Sequence, residues 1–167
     1  MTVGGKRERP LALPHRLRGA RTENLATAHV ARRRTFRFRL MVKGKNFARI
    51  NGQYFRMKQD PVTTRLGSVE EWTLKNTHAK TTAENSQHPF HIHVNDVQVM
   101  SVNGRPYHAR GLQDVVVIPV NGEVVIRQRF EDFTGKFVFH CHILDHEDGG
   151  MMRAVRVVRP RSHHALG

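Results

Sequence analysis

Cysteine is almost missing from this chain: Cys141 is the only one among 167 residues. No intrachain disulfide can form, so the fold must rest on its core. A lone cysteine is then a buried apolar residue, a nucleophile or a metal ligand. Long apolar runs are missing too, and no stretch approaches the ~20 residues of a membrane span. Residues 1–35 are broken throughout by Arg, Pro and Gly, and no secretory apolar region follows them. Arg32-Arg33-Arg34 has the charge of a twin-arginine signal. Thr35-Phe36-Arg37-Phe38-Arg39 nevertheless puts charges where the apolar run belongs, so no targeting signal is read. Acid is scarce only at the front. Residues 1–49 carry 14 Lys/Arg against 2 acids, and residues 50–167 carry 14 against 12. The net charge of +14 therefore sits largely ahead of a nearly neutral body.

A sustained helical period is also absent. What is present is a two-residue period. Phe36, Phe38 and Leu40 alternate with Arg37 and Arg39, the pattern of a half-buried strand. Asn51-Gly52 separates residues 47–50 from 53–57 and predicts a hairpin. Further strands are expected over 69–74, 92–102, 115–120, 123–130, 136–141 and 151–158, with Asn103-Gly104 and Asn121-Gly122 as turns. Short strands with regular turn signals predict an all-β sandwich or barrel. The domain is expected over 32–160, behind a flexible basic arm or linker at 1–31 and ahead of a tail at 161–167.

Histidine is plentiful, with twelve residues. Two short stretches concentrate them: His88-Pro89-Phe90-His91-Ile92-His93, and the segment from His140-Cys141-His142 through His146-Glu147 to Gly149-Gly150-Met151. Cys141, His146 and Met151 offer a thiolate, an imidazole and a thioether. Two histidines, one cysteine and a weak axial methionine form the donor set of blue-copper electron-transfer sites. His88 is the candidate for the second imidazole. Zinc is the alternative metal, but it favours four Cys, His or carboxylate donors and has no use for a thioether. Strand parity sorts the remaining histidines, because successive side chains face opposite ways. Cys141 should face one side and His140 and His142 the other, with His91 and His93 sharing a parity opposite to His88. Two sites back to back follow: His88, Cys141, His146 and Met151 in one, and His91, His93, His140 and His142 in the other. Pro89 is the residue that could interrupt this pairing.

These motifs resemble those of the multicopper oxidases, the family of laccases, bilirubin oxidases and bacterial cuprous oxidases. The patterns HxxHxH and HCHxxxHxxxxM stand at 88–93 and 140–151, and the resemblance runs over about 33–160, including Gly67-Ser68-Val69-Glu70-Glu71-Trp72. It implies a Greek-key cupredoxin sandwich, the C-terminal domain of such an oxidase. It implies that His88, Cys141, His146 and Met151 bind a type 1 copper. His91 would bind the type 2 copper, and His93, His140 and His142 the type 3 pair. Glu147 matches an acidic residue that relays protons. A reducing substrate, small molecule or metal ion, would give single electrons to the type 1 copper; phenols, metal ions and bilirubin-like pigments all remain open. Electrons would pass through Cys141 to a cluster that reduces O2 to water. The family's other two motifs, HxHG and HxH, are not found, so half of that cluster's ligands must come from an N-terminal cupredoxin domain of a longer protein or from a second chain. An isolated chain is expected to be inactive as an oxidase. Family members are usually periplasmic or extracellular.

Two other readings stand beside this one. The chain could be a standalone type 1 electron carrier, although such a carrier has no need of His91, His93, His140 and His142. The basic front could bind a polyanion, against the simpler reading of Arg32-Arg33-Arg34 as part of a solvated linker. No nucleic-acid motif accompanies the charge, so neither nucleic acid nor a membrane is expected as a partner. His78 and His108 read as surface residues, His163-His164 as tail, Met100 and Met152 as core or surface, and Trp72 as core.

Overall fold

The structure is a computed structural model that describes Gly5 and residues 22–41, 47–77, 86–109 and 111–160. His78, His163 and His164 lie outside the described residues, as does most of the expected arm and tail. Eleven strands form among the described residues. They are β1 (Val30–Leu40), β2 (Ala48–Ile50), β3 (Val62–Arg65), β4 (Val69–Asn76), β5 (His88–Ile92), β6 (Val97–Val102), β7 (Arg105–Pro106), β8 (Val115–Ile118), β9 (Glu123–Arg129), β10 (Gly135–Cys141) and β11 (Met152–Val158). One short helix, α1 (Leu144–Asp148), follows β10. The first sheet has the order β2-β1-β4-β9-β6-β7 and the second β3-β11-β10-β5-β8. The expected all-β sandwich is what forms. No helix among the described residues is long and apolar enough to cross a membrane.

Alternation builds the core. Phe36, Phe38 and Leu40 of β1 are buried between exposed Arg37 and Arg39. They share one core cluster with Trp72 of their own sheet, with Phe130 directly after β9, and with Phe90 and Phe139 from the facing sheet. Phe36 lies 4.7 Å from Trp72 and 4.8 Å from Phe139, ring centre to ring centre. Trp72 is fully buried, and its indole N–H donates to Glu70 at 2.8 Å. That bond satisfies a donor that burial would otherwise leave stranded.

Several expectations change. Residues 92–102 were expected as one strand, but the chain leaves the second sheet at Ile92 and enters the first at Val97. The break falls at Val94, whose φ of 61° is incompatible with strand geometry. Asn51-Gly52 does form a tight turn, with φ of 53° and 77°. Its second arm is only a bridge between Ile50 and Gln53, because β2 pairs with β1 instead. The arm expected to end at Ala31 includes packed chain. Leu25 is buried in a 3-10 turn, its N–H donates to Gln98 at 2.6 Å, and Glu23 pairs with Arg129. Nor is Arg32-Arg33-Arg34 a solvated linker: it lies within β1, Arg33 pairing with Glu71 at 2.9 Å and Arg34 with the buried Glu70 at 2.6 Å.

Candidate metal centres

β10 and β5 are antiparallel neighbours, with Cys141 opposite Phe90 and His140 opposite His91. Parity does the sorting from there. His88, Phe90 and Ile92 are buried on one face of β5, and His91 lies on the other. Pro89 does not disturb this. It keeps its register opposite Val117, and its carbonyl accepts the His142 N–H at 2.7 Å.

On the inner face, the Cys141 Sγ lies 3.6 Å from Nδ1 of His88 and 3.6 Å from Nδ1 of His146. The three donor atoms all fall within 4.8 Å of one another, and all three residues are buried. Donor–metal lengths of about 2.0–2.3 Å, at angles between tetrahedral and trigonal, separate sulfur and nitrogen by about 3.5–3.8 Å. The observed spacing therefore fits one shared ion. Met151 is fully buried in the same cluster as Cys141, and its carbonyl accepts the Cys141 N–H at 3.0 Å. α1 carries His146 back to this point, and the Met151 N–H donates to the His146 carbonyl at 2.9 Å. Burial pushes the Cys141 thiol up to about 11, with a contribution in the same direction from Glu147. A bound cation would have to displace that proton.

The outer face carries the other four histidines. His91, His93 and His140 bring one nitrogen each within 4.8 Å of the others. The His142 ring stands edge-on to that of His91 at 5.4 Å and tilted to that of His140 at 5.8 Å. Hydrogen bonds set the tautomers. Nδ1 of His91 is 2.9 Å from the Asp114 carbonyl. Nδ1 of His140 is 3.1 Å from the Cys141 carbonyl and 3.1 Å from Glu147 Oε2. These partners only accept, so Nδ1 carries the hydrogen and Nε2 presents a lone pair. Nε2 of His140 lies 3.3 Å from Nε2 of His93. Partial desolvation, with His140 and His91 nearby, lowers the His93 pKa from its ordinary value, although Glu147 opposes the shift. Imidazole nitrogens gathered this closely suit a transition metal. His93 and His142 are exposed, so this cluster opens outward.

The seven expected histidine and cysteine ligands thus gather in two clusters, with Met151 buried in the core and hydrogen-bonded through its backbone to Cys141, and Glu147 against His140. Two partners had no signal in the sequence. The Asp114 carbonyl orients His91, and the Phe47 ring packs edge-on to His146 at 6.3 Å. Neither a backbone carbonyl nor a contact across about 100 residues is written in a motif.

A family model described as multicopper oxidase matches residues 21–161. The chain is 38% identical over 110 residues to a multicopper oxidase, mco, of Staphylococcus haemolyticus, an alignment covering 65% of this chain and 24% of that protein. It is 39% identical over 114 residues to a bilirubin oxidase of Albifimbria verrucaria, covering 63% of this chain and 19% of that one. A solved multicopper oxidase from Campylobacter jejuni, described as a metallo-oxidase, superposes with a TM-score of 0.70 at 25% identity, over 91% of this chain and 34% of that chain. The chain spans about a quarter of the length of the curated relatives it matches.

Proposed function

The chain belongs to the multicopper oxidase family, with that family's cupredoxin sandwich, and we propose that it is a domain holding one whole copper site and half of another. Its activity as a copper oxidoreductase is supported by these relatives; the division of labour between its two sites is our reading. The convergence of Cys141, His88 and His146 on one buried point carries that reading.

In it, His88, Cys141, His146 and Met151 hold a type 1 copper, His91 a type 2 copper, and His93, His140 and His142 contribute to a type 3 pair. Bound copper would supply one-electron acceptance from a reductant at the first site and reduction of O2 to water at the second. The chain's own residues do the rest. Cys141 is covalently joined to His140 and His142, so its backbone is a through-bond path between the two sites. His146, on an exposed turn of α1 that includes Leu144, stands nearest the surface where a reductant would approach. Glu147 holds the Nδ1 proton of His140 and is half-buried, a placement that suits a proton relay to the open cluster.

Among the described residues no further histidine joins the outward-facing cluster. We assign the missing HxHG and HxH ligands to another cupredoxin domain, in the same protein or in a partner, that covers the open face. An exported location belongs to the proposal through the resemblance alone. The test is oxygen uptake with a small-molecule or metal-ion reductant. The copper-loaded chain alone should consume no O2, and addition of a domain bearing those two motifs should restore uptake. Uptake by the chain alone, at a rate proportional to its concentration, would overturn the half-site assignment. A standalone electron carrier gains nothing from the four-histidine cluster. A polyanion-binding role through the basic front is weakened by the ion pairs that occupy Arg33 and Arg34.

A further inference from the structure

Gly149 and Gly150 are buried and directly precede Met151. A Cβ on Gly149 would stand 2.8 Å from Phe47 Cε1, and one on Gly150 would stand 2.7 Å from Tyr54 Cβ. Gly150 also has a φ of 103°, where a side chain is strained whatever the space. The chain that crowds both glycines is 47–55. Its tight turn at Asn51-Gly52 lets both arms reach the same loop. The Ala48 N–H donates to the Gly149 carbonyl at 3.2 Å, and the Phe55 N–H donates to the Gly150 carbonyl at 3.0 Å. Asn51 ties the turn to β1. Its backbone N–H donates to the Arg37 carbonyl at 2.8 Å, its Oδ1 accepts the Arg37 N–H at 2.7 Å, and its Nδ2 donates to the Thr35 carbonyl at 3.1 Å. From the other side, Cys141 of β10 holds the Met151 carbonyl at 3.0 Å. Met151 is therefore fixed between anchors that belong to opposite sheets.

We propose that residues 47–55 form a positioning clamp that seats Met151 and thereby sets the axial bond of the type 1 site. The proposal rests on the reading of that site given above. An axial thioether bond is long and weak. It cannot draw a loop into place by itself, so the protein framework must fix the distance. Were the clamp released, Met151 would recede from the position in which it would donate to a copper held by His88, Cys141 and His146, and the reduction potential of the loaded site would rise.

The experiment uses the full chain loaded with copper, read by reduction potential and by electron paramagnetic resonance. Gly150→Ala forces Tyr54 off the loop. It should keep one thiolate-bound copper, raise the potential, and move the resonance spectrum toward that of Met151→Leu. Tyr54→Gly, added to Gly150→Ala, should restore part of the shift. In a Met151→Leu background, Gly150→Ala should move the potential no further, because the clamp acts through the thioether. Should Gly150→Ala not fold, Asn51→Ala loosens the anchor from outside the ligand loop and should give a smaller shift of the same sign. Equal shifts with and without Met151 would mean a general disturbance and overturn the clamp. So would an unchanged potential. A parent chain that binds copper with no thiolate charge-transfer band would overturn the site reading, and the clamp with it.

Discussion

The two faces of β10 carry the same kind of side chain in opposite surroundings. Inside, His88, Cys141 and Met151 are fully buried and His146 is only 6% exposed, closed over by this chain's own core. Outside, His91 is half-buried while His93 and His142 are open. The closed site includes a thiol whose proton is held tightly; in the open one Asp114 orients His91, and Cys141 and Glu147 orient His140. The difference teaches what each site still needs. In the proposed reading the buried site requires only an ion and the loss of one proton, whereas the open cluster requires donors beyond those that the described residues bring to it.

The largest effect should come from removing the thiolate. Cys141→Ser should abolish the visible copper-thiolate absorption and one equivalent of tightly bound copper, whereas His93→Ala should leave that band in place. Loss of the band in both variants would show that the two faces are not separate sites. Copper content and absorption spectra decide it.

Alkaline unfolding sharpens the contrast next. The Cys141 thiol is raised in the folded chain, from an ordinary 9.0 to about 11. The folded state therefore binds the proton more tightly, and stability declines as pH rises from about 9 to about 11. The full loss is about 2–3 kcal/mol. Denaturant melts of the metal-free chain across that range should show the decline, and Cys141→Ser should flatten it. The same proton makes copper loading of the buried site tighten with rising pH, up to about tenfold per unit.

A smaller effect belongs to the outer face. Glu147→Ala takes one partner from Nδ1 of His140. Loss of such an outer partner commonly costs about 10–100-fold in metal affinity. Metal titration of the histidine cluster should weaken by that order while the thiolate band stays unchanged. The smallest effect concerns backbone strain beside His93. Val94 holds a φ of 61°, a conformation that a β-branched residue adopts at a cost of about 1–2 kcal/mol. Val94→Gly should relieve part of it and stabilise the chain by about 1 kcal/mol, less the chain entropy that glycine adds. A melt showing destabilisation would mean that the exposed Val94 side chain contributes packing that outweighs the strain.

Much of this arrangement was legible in the order of residues, because strand parity is a strict rule. In an extended chain Cys141 faces one side, and its two neighbours His140 and His142 both face the other. The same rule carried His91 and His93 to one side of β5, and Pro89 kept its register because its carbonyl faces His142 while its ring needs no donor. The misreadings have physical causes. The apolar run from Ile92 to Val102 hid a change of sheet, since nothing in the composition marks Val94 as left-handed. β3 went unread because Val62-Thr63-Thr64-Arg65 is short and has a single apolar residue, and it is stabilised by its neighbour β11. The three arginines look like a free charge run in sequence because the partners of Arg33 and Arg34, Glu71 and Glu70, lie on β4 and meet them only through pairing of β1 with β4. The clamp over Gly149 and Gly150 was beyond reach for the same reason: it joins segments roughly 100 residues apart.

Copper stoichiometry taken together with the absorption spectrum of the purified full chain tests the central claim most directly. The account predicts one tightly bound copper with an intense thiolate charge-transfer band, and weak, chelator-labile binding at the outer histidines. A chain that binds copper without that band, or that holds a full complement of four coppers by itself, would contradict it.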